Sequence, residues 1–466
     1  MAKTYDLTQG KPTKLILKFF FPMFFTNMLQ QIYTIADTTI VGKGLGDDQL
    51  AAVGNISSLT FLIIGFSIGL TNGFSILTAQ YYGAGEQKNL RRSVVSSVML
   101  SAGITVVLTL FSTIFLKRIL ILLQTPDAIM ADSLKYGYII FGGLAANIAY
   151  NLCASILRAL GDSKTPFYAI VVSTVLNIVF DVVCVFVLKT GVEGPAFVTI
   201  FAQVVSALVC FRRLRKIEMV QFERSDLKRD TEMSFQLLKN GIPMAIMNSI
   251  TAIGCMTVQY FVNGMGVVYT SAYSACSKYI NLFMQPACTA GNTMSSFTSQ
   301  NSGAKRYDRI ISGLKVCLSI AAVSYVILGS VMIFFSRPLA SFMLNGSEQI
   351  NLAADFLVRC GVMMFTLDFL FVVRSGCQGM GEPMLPMISG VLEMVLRVVI
   401  IAFFTGKIGF AATAYAEISA WVGAFVLNAV AFAYYIRKKN NTKNSNTKHT
   451  HTKRTSLMGM RLRKVH

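Results

Sequence analysis

Apolar stretches long enough to cross a lipid bilayer recur along this 466-residue chain and constrain its fold more than any other feature. Each crossing of the hydrocarbon needs about 20 mainly apolar residues. Only 14% of the residues are charged, against roughly 25% in soluble domains. The sequence therefore predicts an all-α integral membrane protein. Twelve spans are predicted, at 14–40, 51–76, 92–116, 133–157, 166–188, 195–211, 241–262, 270–296, 314–335, 352–374, 385–405 and 411–436.

Short motifs recur in the two halves of the chain at a constant separation of 220 residues. Gln80-Tyr-Tyr-Gly83-Ala84 is matched by Gln300-Asn-Ser-Gly303-Ala304, and Leu160-Gly161-Asp162 is matched by Met380-Gly381-Glu382. Six spans per half is an even number, so the two halves run in the same direction and form a parallel, pseudo-two-fold repeat. The predicted parts are an amino-terminal six-helix lobe (1–211), a cytoplasmic linker (212–240), a carboxy-terminal six-helix lobe (241–436) and a basic disordered tail (437–466).

The formal net charge of +20 is unevenly distributed between the two sides of the predicted spans. Before the tail, one side carries 21 Lys and Arg residues and the other carries seven. The positive-inside rule places the basic side and both termini in the cytoplasm of a multi-pass inner-membrane protein. We therefore expect the tail to lie near anionic membrane lipids, with no nucleic-acid partner. The linker is expected to be a solvated segment that also anchors the topology. The first span lacks a cleavage site and is predicted to be a permanent helix.

Two acidic residues lie within the spans of the first half, where basic residues occur only near the ends of the spans. They are Asp37 and Asp181, and a charged group at bilayer depth costs at least about 2.5 kcal/mol. Asn177 lies one turn from Asp181, and Thr199 adds a hydroxyl on the next span. These oxygens could hold a hard cation such as Na⁺, or equally a proton. The simpler alternative is that both carboxylates bond backbone or hydroxyl groups of neighbouring helices.

The second half carries a different set of charged residues within its spans. Glu393 and Arg397 are spaced for an intrahelical ion pair, or they face a substrate cavity. Asp368 either pairs with Lys278 or faces a cationic substrate. Arg374, near the end of its span, is expected to extend to the membrane interface.

These motifs resemble those of multidrug and toxic compound extrusion (MATE) transporters, over roughly residues 12–436. The resemblance rests on Ala36-Asp37-Thr38, Gly44-Leu-Gly46, Gln80-Tyr-Tyr-Gly83-Ala84-Gly85, the segment from Arg158 to Pro166, and Asn177-Ile-Val-Phe-Asp181. It implies two six-helix lobes around a cavity that opens alternately to the two sides, with H⁺ or Na⁺ entry driving substrate exit.

The resemblance also implies where the cation binds. In the archaeal and DinF-like branch the amino-terminal lobe holds the site, and this sequence matches it at two sets of residues. The cation ligands are Asp37, Asn177, Asp181 and Thr199, and the supporting residues are Tyr136 and Asn151. Features of the NorM-like branch are mixed in, because Asp368 resembles its acidic residue in span ten, whereas Thr251 replaces its acidic residue in span seven.

The sequence thus predicts a monomeric antiporter that exports small, cationic amphipathic organic compounds, with no cofactor beyond the coupling H⁺ or Na⁺. Its predicted substrate-cavity residues are Asp368, Lys278, Glu393 and Arg397. The alternative is a flippase for lipid-linked saccharides or lipids, which needs several basic residues for a pyrophosphate. An enzyme is not predicted, because all three His residues lie in the tail and neither a nucleophile motif nor a metal-ligand cluster is found.

Overall fold

The computed structural model describes residues 6–221, 223, 226 and 230–462. Within these residues the regular structure is helical, without strands, and this confirms the predicted all-α class. A π-helical turn, Val183–Val187, extends the sixth helix. The α-helices are α1 (Pro12–Leu45), α2 (Asp47–Ala84), α3 (Gln87–Leu122), α4 (Asp127–Gly142), α5 (Leu144–Ala159), α6 (Lys164–Val182), α7 (Glu193–Leu214), α8 (Thr231–Met265), α9 (Val267–Phe283), α10 (Gln285–Gly303), α11 (Tyr307–Phe334), α12 (Ser336–Met343), α13 (Ser347–Gly379), α14 (Met384–Ile408) and α15 (Ala411–Leu462).

Ten of the twelve predicted spans are long and apolar enough to cross a membrane, in the part of the chain that the structure describes. Nine are single helices, and the tenth is α4 with α5, which meet at a bend of 43°. The remaining two predicted spans coincide with α1 and with α9 followed by α10. Amide and hydroxyl side chains lower the hydropathy of these helices, so their crossing of the membrane stays a prediction.

The 220-residue repeat is visible in the backbone as well as in the sequence. The turns after α1 and α8 use Gly46 and Gly266, with φ of 105° and 114°. The turns after α5 and α13 use Gly161 and Gly381, with φ of 84° and 80°. A residue with a Cβ is strained at such positive φ values, so glycine is required in both halves. The chain accordingly forms two repeated lobes, helices α1 to α7 and helices α8 to α15.

The ends of the two lobes differ from the predicted boundaries. Helices α7 and α8 both extend into the predicted linker 212–240. Helix α15 continues to Leu462, so 437–462 is helical where the sequence predicts disorder. Extending an existing helix needs no new nucleation, which favours this continuation. The rest of the predicted tail and six positions of the linker lie outside the described residues: 463–466, 222, 224, 225 and 227–229.

The lobes meet along α2, which packs against α8 and α10 of the other lobe. At Gly69 the approach is close: an added Cβ would lie 2.7 Å from the Cα of Ala245. One turn further, Gly73 faces Gly241 in the same way. Glycine at these positions lets the backbones of α2 and α8 touch.

Two hydrogen bonds related by the repeat join the lobes on the predicted cytoplasmic side. Gln80 Nε2 donates to the carbonyl of Gly379 at 3.2 Å, and Gln300 Nε2 donates to the carbonyl of Ala159 at 2.7 Å. Gln300 also accepts from the backbone N–H of Leu7, at 2.9 Å, through its side-chain oxygen. Each lobe therefore binds the end of a helix in the other lobe.

The glycines of the same motifs complete this contact. Gly83 packs against the backbone carbonyl of Gln300, and Gly303 packs against that of Gln80, with no room for a Cβ at either glycine. We call these four residues, Gln80, Gly83, Gln300 and Gly303, the cytoplasmic seam. In this structure the seam is closed.

Candidate functional site

Three side chains predicted as cation ligands are brought together between α1 and α6. Asp37 lies on α1, and Asn177 and Asp181 lie one turn apart on α6. Asn177 and Asp181 are fully buried. The carboxyl groups of Asp37 and Asp181 are near enough for a hydrogen bond between them when one carries a proton. We call Asp37, Asn177 and Asp181 the acidic site.

Hydroxyl groups border the acidic site. The hydroxyl of Tyr33 lies 3.2 Å from Oγ1 of Thr199, and Tyr33 and Tyr136 both lie near enough to Asp37 to interact with it electrostatically. Thr199 and Tyr136 were predicted here from the sequence, whereas Tyr33 was not. The signal for Tyr33 was its position four residues before Asp37, on the same helix face.

Buried oxygens of the acidic site have no hydrogen-bond partner among the described residues. They are Oδ1 of Asp37, Oδ1 of Asn177 and both carboxylate oxygens of Asp181. The alternative that Asp181 bonds backbone or hydroxyl groups is therefore wrong. Buried polar atoms without partners cost free energy, and hard cations prefer oxygen ligands. The site therefore fits a hard cation such as Na⁺, or a proton held between the two carboxylates.

A cavity of about 190 Å³ lies between the lobes, beside the cytoplasmic seam. Asn151, predicted to support the cation site, faces this cavity instead, and its Nδ2 donates to Oδ1 of Asn147 at 2.8 Å. The other residues that line the cavity come from both lobes: Met23, Thr26, Asn27, Gln30, Ile68, Asn72, Ser75, Tyr150, Arg158, Met244, Asn292, Ser295, Ser296 and Gln378.

Asp368 is isolated in the carboxy-terminal lobe. Its side chain is fully buried, and neither carboxylate oxygen has a hydrogen-bond partner among the described residues. Lys278 is exposed and forms no ion pair with it. The predicted alternative of an Asp368–Lys278 pair is therefore wrong. The two side chains lie on different helices, α13 and α9, whose rotation the sequence does not specify.

The other predicted charges of this lobe belong to a buried ion ladder. Arg397 contacts Glu393 at 3.7 Å (Nη1 to Oε2) and Glu417 at 3.0 Å (Nη2 to Oε2). Glu393 also binds Arg374, and Glu417 accepts from the hydroxyl of Tyr273 at 3.3 Å. All four charged residues are at most 7% exposed. We use the term ion ladder for Arg374, Glu393, Arg397 and Glu417.

Two predictions change with the ion ladder. Arg374 does not extend to the interface, because it is buried against Glu393. Glu393 and Arg397 form the predicted pair, at one step of a longer network that includes Glu417, which the sequence did not single out. The ladder carries two positive and two negative groups and is neutral as a whole. Its charges are paired within the ladder. None of Asp368, Lys278, Glu393 and Arg397 lines the cavity beside the seam.

The same repeat appears when the chain is compared with protein families. The model of the MatE family matches it twice, at residues 22–183 and at residues 243–403. The chain belongs to the MatE family. The two matched segments fall one in each lobe, which agrees with the duplication seen in the sequence.

Curated relatives of this MatE-family chain include two bacterial proteins. The probable multidrug resistance protein YoeA of Bacillus subtilis (strain 168) is 32% identical over 351 residues, which cover 73% of this chain and 75% of the relative. The probable multidrug resistance protein NorM of Thermotoga maritima is 22% identical over 80% of this chain and 82% of the relative.

A solved structure shows that the fold is shared. The crystal structure of a MATE protein in the bent conformation superposes with a TM-score of 0.89 at 21% identity, covering 95% of this chain and 99% of that one. The two repeated lobes found here are thus the architecture of a MATE transporter.

Proposed function

We propose that this MatE-family protein is a secondary transporter that exchanges H⁺ or Na⁺ for organic compounds across the inner membrane, with both termini in the cytoplasm. The acidic site is the observation that carries the proposal, because Asp37 and Asp181 form no ion pair with any described basic residue. The name of the YoeA relative, a probable multidrug resistance protein, supports organic compounds as the cargo.

The acidic site provides a physical means of coupling. Binding of one cation neutralises part of its negative charge, and any difference in cation affinity between two arrangements of the lobes shifts their populations. A tenfold cation gradient supplies about 1.4 kcal/mol, and 100 mV supplies about 2.3 kcal/mol per charge moved. One cation per substrate is therefore enough to drive accumulation of about tenfold or more.

The cytoplasmic seam supports exchange by alternating access. Opening the cavity to the cytoplasm requires the hydrogen bonds of Gln80 and Gln300 to break and the contacts of Gly83 and Gly303 to separate. These are hydrogen bonds and packing contacts, without a covalent link between the lobes, so the proposed cycle breaks and re-forms them. The acidic site lies in the amino-terminal lobe, which contributes Gln80 and Gly83 to the seam. Cation binding at that site can therefore shift the equilibrium between the closed and the open seam.

Efflux from proteoliposomes tests this proposal. The purified protein is reconstituted with cationic, neutral and anionic dyes, and H⁺ and Na⁺ gradients are imposed one at a time. We expect at least one dye to leave faster under one of the two gradients, and to stop when an ionophore collapses that gradient. Dye movement that ignores both gradients would show a passive pathway and contradict antiport.

A substitution in the seam tests alternating access. Gly83→Ala adds a Cβ where the carbonyl of Gln300 lies, so the seam cannot close as it does here. We expect gradient-driven efflux to fall at least about tenfold, the factor that corresponds to 1.4 kcal/mol. Loss of helix stability is not the cause, since Ala favours a helix more than Gly does.

Gly103→Ala is the matched control for this substitution, because a Cβ at Gly103 in α3 meets nothing within 4 Å. It should leave efflux unchanged, and thermal unfolding should show that both variants are folded. Full efflux by Gly83→Ala would mean that closure of the seam is no part of the transport cycle.

A further inference from the structure

The cavity beside the seam has an unusual chemical lining for a site expected to receive cations. Six of its lining side chains are carboxamides and five carry hydroxyls, whereas no lining residue is acidic. Its one charged group is Arg158, at the end of α5. The lining thus offers hydrogen-bond donors and one positive charge.

The charge of Arg158 is not neutralised by a neighbouring carboxylate. Its Nη2 donates to Oγ of Ser155 at 3.1 Å, and Ser155 in turn donates to Oδ1 of Asn72 at 2.9 Å. No ion pair of Arg158 is found among the described residues. The acidic residue nearest in sequence, Asp162, pairs instead with Arg213 at 3.0 Å. Neutral groups therefore orient the guanidinium and leave its charge available.

The repeat shows that the fold does not require this charge. The cavity is built from residues that are 220 positions apart in the two lobes, such as Asn72 with Asn292 and Ser75 with Ser295. The partner of Arg158 in this symmetry is Gln378, which lines the cavity from the end of α13.

The helix ends at these two positions have the same form. The turns that follow use glycines of similar φ, 84° at Gly161 and 80° at Gly381. A neutral Gln378 therefore sustains the same helix end and the same turn. Arg158 differs from Gln378 in that it adds a positive charge to the lining of the cavity.

We propose that Arg158 and the surrounding carboxamides form a subsite for an oxyanion, so that the transported compounds include organic molecules with a carboxylate or phosphate group. The inference rests on the proposed transport function and specifies its substrate class. A guanidinium presents two parallel N–H donors to such a group, and the amides and hydroxyls of both lobes add donors. Cationic compounds, which the sequence predicts as substrates, find no carboxylate in this cavity.

Equilibrium binding of three probes of equal shape tests the charge preference without any gradient. The probes are benzoate (negative), benzamide (neutral) and benzamidinium (positive), titrated into the full-length protein in neutral detergent. We expect benzoate to bind at least about tenfold more tightly than the other two, as a charge-assisted hydrogen bond at Arg158 predicts. Equal binding of the three probes, or tighter binding of benzamidinium, would overturn the inference.

Substitutions locate the preference. Arg158→Gln copies Gln378 of the other lobe and should bind benzoate and benzamide equally, whereas Arg158→Lys should keep part of the preference. Arg212→Gln removes an exposed charge at the end of α7 and is the matched control. A benzoate preference that persists in Arg158→Gln would place the anion elsewhere. The ranking by the wild-type protein tests the inference even if Arg158→Gln does not fold.

Two further arms of the experiment distinguish a lipid headgroup from a soluble anion, and failure of the subsite proposal from failure of the transport proposal. In the first arm, phosphatidylglycerol is added to the micelles. If it displaces benzoate, the oxyanion subsite is assigned to a lipid headgroup. If benzoate stays bound, the subsite is assigned to soluble compounds. Benzoate binding without gradient-driven efflux of any dye would retain the subsite and reject the transporter. Gradient-driven efflux with no charge preference in binding would retain the transport function and reject the oxyanion subsite.

Discussion

Replacement of Asp181 with Asn is expected to abolish gradient-driven efflux. The amide has nearly the shape of the carboxyl group, so the fully buried position remains filled. It has no negative charge to hold a cation and does not take up a proton at neutral pH. Because the change removes the property on which coupling depends, we expect no stimulation by either an H⁺ or a Na⁺ gradient.

The same result is expected for Asp37→Asn, since the two carboxyl groups are neighbours in one site. The double variant should be no worse than either single variant, because residues that act as a unit are not additive. Benzoate binding should persist, which separates loss of coupling from loss of substrate.

Glu193→Gln is the matched control for these carboxyl-to-amide changes. Glu193 pairs with Lys135 at 3.6 Å, and both side chains are about half exposed. A surface pair of this kind contributes about 1 kcal/mol at most, so efflux should stay at the wild-type level. Full gradient-driven efflux by Asp37→Asn or Asp181→Asn would remove the acidic site from the mechanism.

Replacement of Arg397 with Met is expected to destabilise the carboxy-terminal lobe strongly. Arg397 lies between Glu393 and Glu417 in the ion ladder, and it is 3% exposed. Its loss leaves two buried carboxylates with one remaining arginine. Removing one partner of a buried pair typically costs about 3–5 kcal/mol. The measurement is the free energy of unfolding in mixed micelles, which should fall by about that amount.

A second substitution shows whether the cost arises from the unpaired charge. In the double variant Arg397→Met with Glu417→Gln, the remaining charges are Arg374 and Glu393, which still pair. We expect the double variant to regain more than half of the stability that Arg397→Met loses, the sign of strong coupling in a double-mutant cycle. The cycle also needs the single variant Glu417→Gln. If the stability losses of Arg397→Met and Glu417→Gln simply add in the double variant, the ladder is not an electrostatic unit.

An exposed pair of the same kind provides the control. Arg359 binds Asp355 at 2.7 Å on the surface of α13, where both side chains are at least 35% exposed. Arg359→Met should lower stability by at most about 1 kcal/mol, because water screens the charges. A similar loss for Arg359→Met and Arg397→Met would mean that burial of the ladder contributes little.

The two lobes share a scaffold but differ in the charges that they bury. Asp37 and Asp181 have Thr257 and Ile401 as their equivalents 220 residues later. The carboxy-terminal lobe instead holds the neutral ion ladder and the isolated Asp368. Among the residues that the structure describes, two close carboxylates without a basic partner occur in the amino-terminal lobe alone. This difference is why we propose that lobe for cation coupling.

The class of the fold, its duplication and the members of the acidic site are all predictable from the sequence. Hydropathy over about 20 residues reports a span directly, and a repeat at a fixed separation needs no knowledge of packing. The sequence places Asn177 and Asp181 on one helix face because residues four positions apart are one helical turn apart. Tyr33 lies four residues before Asp37, so its place beside that carboxyl group is also predictable from the sequence.

The faces at which distant helices meet are seen only in the three-dimensional packing. It paired Arg374 with Glu393, brought Glu417 to Arg397, and left Asp368 and Lys278 apart. Helix rotation and tilt depend on side-chain packing with neighbouring helices, and these are absent from a linear pattern. The cavity charge at Arg158 became visible for that reason too, since its meaning depends on the residues of both lobes that surround it.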